Sequence, residues 1–328
     1  MRVLVTGGTG FVGQYVVAAL LARGDEPIMI GRDFAQAQQL VAAGAVPLIG
    51  DLRNHSAVVQ ACAGMDAVCH VGALSAPWGQ WAEFSATNVQ GTAAVVAGCQ
   101  RYNVGRLVAI SSPAVIFAGH DQHNLTETAP YPSRFTSQYA KSKKLAEDIV
   151  HAAHDLPWVI LRPKAIFGPG DRSLLPRLIA AARRGRLPQI GNGRNLVDLT
   201  YVENVADAIL LALRADTAVG KTFMITNDEH VPLWDVIRTV LQRLAIHARL
   251  RPIPLGAALA LATLFELRAR IGGGEPLLTR YATAILARTQ TYDISLAKRD
   301  LGYTPRVSVA EGVERTLNAL AAQSPVGL

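Results

Sequence analysis

Cysteine is scarce, aromatic residues are few and no apolar run is long. Three cysteines in 328 residues, Cys62, Cys69 and Cys99, make no Cys-x-x-Cys pair and have no histidine interleaved at metal-ligand spacing. That excludes a disulfide scaffold and a structural metal site, and it suits a reducing cytoplasm. The longest weakly polar stretch, Ile253 to Phe265, is thirteen residues long and contains Pro254, Gly256 and Thr263. A bilayer span needs about 20 residues, so the expectation is no transmembrane segment and a buried helix here. A helix lying on a membrane surface is the second reading, because Arg249, Arg251, Arg268 and Arg270 flank the stretch. At the start of the chain the apolar run Val3-Leu4-Val5 stops at Thr6-Gly7-Gly8, which predicts no secretory leader. What is present is a chain half apolar and 17% charged, with no repeat or low-complexity linker. It can bury a sizeable core, and disorder is excluded.

The first half alternates β-branched runs with helical stretches: Arg2 to Thr6, a helix Phe11 to Arg23, Pro27 to Ile30, a helix Phe34 to Ala43, then Val46 to Ile49. The alternation continues with Asp66 to His70, a helix Trp81 to Gln100, Arg106 to Ser111, a helix Ser137 to His154 and Trp158 to Leu161. Such a pattern predicts an α/β fold, a doubly wound parallel sheet covered by helices on both faces. After Pro163 turn signals crowd in at Gly168-Pro169-Gly170 and Gly191-Asn192-Gly193, and helices are expected at Leu174 to Arg184, Glu203 to Arg214 and Trp234 to Ala245, with a strand at Thr222 to Thr226. The expected organisation is a nucleotide-binding core over 1–165 and a smaller, interleaved substrate-binding region over 166–328, from which about 195–226 returns to the core.

Thr6-Gly7-Gly8-Thr9-Gly10-Phe11-Val12-Gly13 follows the first strand and opens the first helix, the context a dinucleotide-binding glycine turn requires. Gly7 permits the tight turn, Gly10 admits a pyrophosphate to the backbone, and Gly13 lets the helix pack on the sheet. The second strand ends Ile30-Gly31-Arg32. Without a carboxylate there, and with a guanidinium able to bind a 2′-phosphate, NADP is expected over NAD, although Asp33 follows.

Tyr139 and Lys143 are four apart on an expected helix and so share a face. A cation beside a phenol favours the phenolate and lowers its pKa, the acid–base chemistry of carbonyl–alcohol interconversion. Ser111 and Ser112 stand at the end of a preceding strand, on the edge where a doubly wound sheet binds ligands, and either could hold a substrate oxygen.

On these motifs the chain resembles an extended short-chain dehydrogenase/reductase over nearly its whole length. The glycine turn, Gly50-Asp51-Leu52, His70-Val71-Gly72-Ala73, Asn88-Val89-Gln90-Gly91-Thr92, Ser111-Ser112, Tyr139-x-x-x-Lys143 and Leu161-Arg162-Pro163 stand in that family's order. Within it the chain is similar to the 3β-hydroxysteroid dehydrogenase-like branch, which includes bacterial reductases of 2-alkyl-3-oxoalkanoates. Ala76-Pro77-Trp78-Gly79, Ser112 to Phe117, Phe167 to Asp171, Val197 to Val205 and Glu275 to Arg280 carry that similarity.

The resemblance implies Ser112, rather than Ser111, with Tyr139, Lys143 and Asn88 as the catalytic set. It implies cofactor contacts at Gly7, Thr9, Gly10, Phe11, Val12, Gly13, Arg32, Asp51, Leu52, Val71, Gly72, Ala73, Pro163 and Ile166, besides Tyr139 and Lys143. Substrate contacts are expected at Trp78, Ser112, Lys164, Phe167, Arg172 and Tyr201. A homodimer through the helices near Trp81 to Gln100 and Ser137 to His154 also follows by analogy. Two departures stand out. Gly31 replaces the acid of NAD-binding members, and Lys164-Ala165-Ile166-Phe167 replaces a bulkier string of the oxoalkanoate reductases.

The net charge is +7, and a segment from Arg162 to Arg194 holds eight basic residues and one acid, Asp171. If that segment borders the substrate cleft it would draw an anionic substrate; otherwise it is a solvated face. Trp78, Trp81, Phe117, Phe167, Tyr201 and the 253–265 stretch are candidates for an apolar pocket wall. The expected activity is an NADP(H)-dependent oxidoreductase acting on a hydrophobic keto or hydroxy substrate, a 3-oxo fatty acid derivative or 3β-hydroxysteroid. The alternative is a sugar-nucleotide epimerase or dehydratase with tightly held NAD. No metal and no nucleic-acid partner are expected.

Overall fold

A computed structural model describes residues 1–172 and 175–322. Seven parallel strands form the main sheet: β1 (Arg2–Thr6), β2 (Glu26–Gly31), β3 (Val46–Ile49), β4 (Ala67–His70), β5 (Arg106–Ile110), β6 (Trp158–Pro163) and β7 (Lys221–Ile225). Their order is β7-β6-β5-β4-β1-β2-β3. The expected doubly wound α/β sheet is therefore present. The central strands are apolar on both faces because helices cover both. Val3 and Val5 of β1 pack with Val16, Val17 and Leu20 of helix α1 (Phe11–Ala22) and with Val205 and Ile209 further along the chain. Leu4, between them, packs on the opposite face with Val58, Val95 and Val150. Fully buried, each such side chain contributes about 1.5–3 kcal/mol.

Three helices differ from expectation. The stretch Phe34 to Ala43 is helical only at Gln38–Ala42, because the Asp33 carboxylate accepts from the Ala35 amide at 2.9 Å and holds a turn instead. A helix at His55–Ala61 was not foreseen; Asn54 caps it by accepting from the Ala57 amide at 3.2 Å. The helix from Trp81 is interrupted by a π-helical stretch at Ser85–Gln90, after which α2 (Gly91–Arg101) continues. Helix α3 (Gln138–His151) starts where the Ser137 hydroxyl accepts from the Ala140 amide.

Beside the main sheet lies a four-stranded one in the order His230–Pro232, Leu196–Asp198, Gln290–Tyr292, Gln122–Leu125. Chain segments cross in both directions, since Gln122–Leu125 sits in the smaller sheet and β7 in the larger. Helix α4 (Val202–Ala212) packs against α1. Of the helix expected at Leu174 to Arg184, Leu175–Arg183 is seen, and Leu174 lies outside the described residues. The 253–265 stretch belongs to a longer helix, α5 (Leu255–Gly272), followed by α6 (Arg280–Ala287). Only Ala258, Ala262 and Glu266 of α5 are buried, so the reading of a buried helix is corrected.

Candidate active site

The strand order reverses between β1 and β4, and the carboxyl ends of these strands form the crevice where doubly wound sheets take ligands. Gly7, at φ 67°, turns the chain from β1 into α1. A Cβ on Gly7 would come within 2.6 Å of the Gly72 Cα, and one on Gly13 within 2.0 Å of the Gly7 carbonyl oxygen. Gly10 is the first residue ahead of α1, extended, with no side-chain cap over the helix amides. The turn is thus a cradle with free amides at a helix start, fitted to a dinucleotide pyrophosphate. Thr9, Phe11, Val12, Val71 and Ala73 surround it in sequence, and Leu52 packs close to Gly72.

At the end of β2 a Cβ on Gly31 would meet the Thr9 Cγ2 at 2.8 Å, so a carboxylate has no room there without Thr9 moving. Arg32 is exposed. Asp51 pairs with Arg53 through Nη2 at 2.6 Å. Hydrogen bonds from Arg53 chiefly, with Arg32 adding its charge, hold the Asp51 carboxyl down to about 2. Two guanidiniums therefore flank one carboxylate at this corner. Arg53 was not singled out from sequence, although its spacing two residues beyond Asp51 was the available signal.

Ser112 ends the segment after β5, and its hydroxyl accepts from the Ala114 amide at 3.2 Å, which leaves its own hydrogen free to donate. Ser111 is buried and its side chain lies against Glu147. Adjacent side chains leave an extended chain on opposite faces, and it is Ser112 that lies against Tyr139 of α3, together with Ser75. Burial raises the Tyr139 pKa, and hydrogen bonds with Ser112 and Ser75 offset it only in part. The expected net depression is corrected, because desolvation is the leading cause and outweighs what lowers the pKa. Lys143 Nζ donates to the Ile110 carbonyl oxygen at 2.6 Å. Burial lowers its pKa to about 8 against the opposing pull of Glu147.

Asn88 is also displaced from its expected role. Its Oδ1 accepts from the Leu74 amide at 2.7 Å, and its Nδ2 donates to the Leu74 carbonyl at 3.0 Å and to Ser142 Oγ at 2.8 Å. Those bonds fasten the Leu74-Ser75 segment to α3, so Asn88 positions the site rather than touching Tyr139. Beneath it a buried chain has one consistent set of directions. Thr92 Oγ1 donates to the Asn88 carbonyl, so it accepts from His70 Nε2, and His70 Nδ1 accepts from Thr6 Oγ1, which accepts from the Gly72 amide. Burial, with the nearby Lys143 charge, pushes His70 down to about 3, and it stays neutral.

The basic segment does not line the cleft as a block. Arg162 is buried and donates to both Glu147 oxygens, at 2.8 and 2.7 Å, with Tyr131 bridging them. Lys164 is buried, its Nζ donating to Gln290 Oε1 at 2.5 Å. Arg177 pairs with Glu275 at 3.0 Å, and Arg172, Arg183, Arg184, Arg186 and Arg194 are exposed. Phe167 and Tyr201, expected in the substrate wall, lie instead in a core cluster with Val197, Val202 and Val309, their rings 5.6 Å apart. They pack against Gly312, where a Cβ would fall 2.6 Å from the Tyr201 ring, and their cluster also packs against Phe11 and Val12 of the glycine turn. Phe117 is buried as well. Trp78 is half-buried, with the Arg270 guanidinium 5.9 Å over its ring. Pro163 is buried at the end of β6 and Ile166 is half-buried beyond it. Sequence reasoning missed Ser75 and also Tyr281 of α6, whose charge interaction with Tyr139 puts it beside the site. Neither carries a motif. Among the described residues no cluster of His, Cys, Asp or Glu suits a metal.

The match that decides the family covers most of the chain. Residues 4–255 fit the model of the 3-beta hydroxysteroid dehydrogenase/isomerase family. The chain belongs to that family. It is an oxidoreductase of the extended short-chain dehydrogenase/reductase type. It is 38% identical to a 2-alkyl-3-oxoalkanoate reductase of Stenotrophomonas maltophilia over 98% of this chain and 100% of that one. Identity is 37% to the mouse decarboxylating sterol-4-alpha-carboxylate 3-dehydrogenase, over 96% of this chain and 90% of that one. Among solved structures, the dTDP-glucose 4,6-dehydratase DesIV of Streptomyces venezuelae, with NAD bound, superposes with a TM-score of 0.78 at 25% identity, over 98% of this chain and 97% of that one. The glycine cradle and the relatives together assign a nicotinamide cofactor to this crevice.

Proposed function

We propose that the protein is an NADP(H)-dependent reductase that interconverts a ketone and a secondary alcohol on a hydrophobic substrate of the 3-oxo acid or 3β-hydroxysteroid type. The observation that carries this is Ser112 and Tyr139 set against each other beside the glycine cradle, with Tyr139 kept protonated by burial. A bound nicotinamide supplies the hydride for the carbonyl carbon. Tyr139 gives its phenolic proton to the substrate oxygen, and the Ser112 hydroxyl donates to that same oxygen and holds it. Lys143 spends one of its three N–H donors on Ile110, leaving two for ribose hydroxyls and a positive charge to stabilise the tyrosinate that proton loss creates. Asn88, through Leu74, fixes the segment that brings Ser75 to Tyr139.

The NADP preference rests on the Gly31–Thr9 contact, which excludes a carboxylate, and on Arg32 and Arg53 beside Asp51. Asp33 is spent on its own turn. Trp78 and Tyr281 offer apolar surface near Tyr139, and Arg172, one of five exposed arginines of the basic segment, is the one this reading assigns to an anionic group of the substrate. A homodimer and a cytoplasmic setting accord with this reading.

The test is NADPH consumption with 2-alkyl-3-oxo acids and 3-ketosteroids, for the wild type and for Tyr139→Phe. The expected result is turnover of one class, reduced by roughly 10²–10⁴ or more in the variant, while NADPH titration by fluorescence is nearly unchanged. Undiminished activity in Tyr139→Phe contradicts the mechanism. A protein purified with NAD and inert to the panel favours a sugar-nucleotide epimerase or dehydratase instead.

A further inference from the structure

One buried cation has no counter-ion in the fold. Lys164 follows Pro163 at the carboxyl end of β6, the neighbour of β5, so it leaves the main sheet on the same edge as Ser112. It is 8% exposed, and no ion pair among the described residues engages it. Its Nζ donates to Gln290 Oε1 at 2.5 Å and lies 5.6 Å from the centre of the Tyr292 ring. The acid whose charge reaches it, Asp198, is already occupied, because that carboxylate takes His230 Nδ1 at 2.6 Å and the Tyr292 amide at 2.8 Å. Burial lowers the Lys164 pKa only to about 8, so the lysine is a cation at neutral pH. A buried charge without a partner is costly.

The groups around it show the same deficit. Gln290 and Tyr292, two apart on one strand of the smaller sheet, share a face and are 1% and 2% exposed. A lysine only donates, so its bond to Oε1 fixes which way the Gln290 amide is turned. That leaves Gln290 Nε2 and the Tyr292 hydroxyl buried with no hydrogen-bond partner. Lys164 itself keeps two further N–H donors. The unused groups, an ammonium, an amide NH2 and a hydroxyl, all donate, so what is missing is an acceptor with a negative charge. A carboxylate, with about four lone-pair sites on two oxygens, meets that demand. A neutral ketone or ester oxygen leaves the cation uncompensated. Tyr281 of α6 joins this cluster to the reacting centre, since its charge interactions reach Tyr139 on one side and Tyr292 on the other.

We propose that Lys164, Gln290 and Tyr292 form the subsite that takes the carboxylate of the substrate, so that the protein selects free acids of the 3-oxo type over their esters and over neutral steroids. This rests on the reductase reading above and names, within it, the residues that decide the substrate class. Arg172, assigned to the same anionic group, is exposed and draws it in through a field that salt screens. The buried set holds the group at contact, where salt has little effect.

The experiment is calorimetric titration of the NADPH-saturated protein with 3-hydroxydecanoate and with its methyl ester. With the reduced cofactor bound the alcohol cannot react, so binding is read without turnover. Wild type should bind the acid roughly tenfold or more tightly than the ester. Lys164→Met should weaken the acid roughly 10- to 100-fold and leave the ester within about twofold, at low and high salt alike. Tyr292→Phe, which loses one oxygen, should weaken the acid roughly 3- to 10-fold with the ester again unchanged, and it carries the test if Lys164→Met does not fold. Arg172→Gln should show a loss that high salt abolishes. NADPH titration by fluorescence checks that each variant is folded. Equal binding of acid and ester by wild type, binding of neither, or variants that hold the acid as wild type does overturns the inference. So does a loss in Lys164→Met shared equally by acid and ester, which would make the lysine a structural part of the fold alone. A wild type that binds the acid through Lys164 yet reduces no ketone contradicts the reductase reading instead and leaves the subsite standing.

Discussion

Gly31, Arg32 and Lys143 each make one physical choice that can be measured singly. Gly31 leaves the end of β2 without a carboxylate, and the 2.8 Å approach of Thr9 to its missing Cβ keeps that corner closed to one. Arg32→Ala should therefore weaken NADPH by roughly 10- to 100-fold, the worth of one hydrogen bond to a charged group, and leave NADH within about twofold; fluorescence titration of both cofactors reads the difference. Lys143 titrates at about 8 because burial disfavours its cation. Since that cation supports the tyrosinate, kcat/KM should fall as pH rises past about 8, and Lys143→Arg should flatten that limb in a pH–rate profile. At this scale much was legible, because Gly31-Arg32 and Tyr139-x-x-x-Lys143 have spacings that carry their chemistry. Asn88 and Lys164 were not, since the partners that absorb them, Leu74 and Gln290, are set by tertiary packing. Ser75 and Tyr281 reach Tyr139 from segments with no pattern of their own.

Two buried contacts join elements that sequence reading placed separately. Arg162 on β6 and Glu147 on α3 are 2% and 1% exposed and doubly bonded. Glu147→Leu strands the guanidinium and should cost about 3–5 kcal/mol in urea unfolding, while Glu147→Leu/Arg162→Met should recover most of it. His70 ties β1 to α2 through Thr6 and Thr92. Its folded pKa of about 3 lies below the usual histidine value near 6.5. Between those values the unfolded chain binds a proton that the folded one does not. The stabilisation is thus complete above about pH 6.5 and is lost as pH falls toward 3. His70→Gln should flatten that part of the stability–pH curve, measured by urea midpoints. The seven parallel strands include apolar runs such as Val3-Leu4-Val5 that announce themselves. The turn at Asp33 and the π-helical stretch at Ser85–Gln90 do not, because the first depends on one side chain's hydrogen bond and the second on where Asn88 must sit.

For the whole molecule, the sheet order and the glycine cradle make the crevice a site that exists only in the folded chain, so a bound cofactor adds to stability by mass action. NADPH at 100 times its dissociation constant should contribute about 2.7 kcal/mol, visible as a higher Tm, with NADH giving less at equal concentration. The exchange of Gln122–Leu125 and β7 between the two sheets was only partly legible, as a four-residue strand such as Gln122–Leu125 has no periodicity that assigns it to a partner. The basic stretch from Arg162 to Arg194 looked continuous along the chain but divides in space between buried pairs and exposed side chains. The central claim is net reduction of a carbonyl carbon with Tyr139 as the acid. The direct measurement is turnover of a 3-oxo substrate with NADPH deuterated at the transferring position of C4, followed by mass analysis of the alcohol. The account predicts one deuterium on the carbinol carbon, and labelled alcohol forming roughly 10²–10⁴-fold or more slowly with Tyr139→Phe. Deuterium retained in the cofactor after turnover, or an unlabelled alcohol, would contradict it.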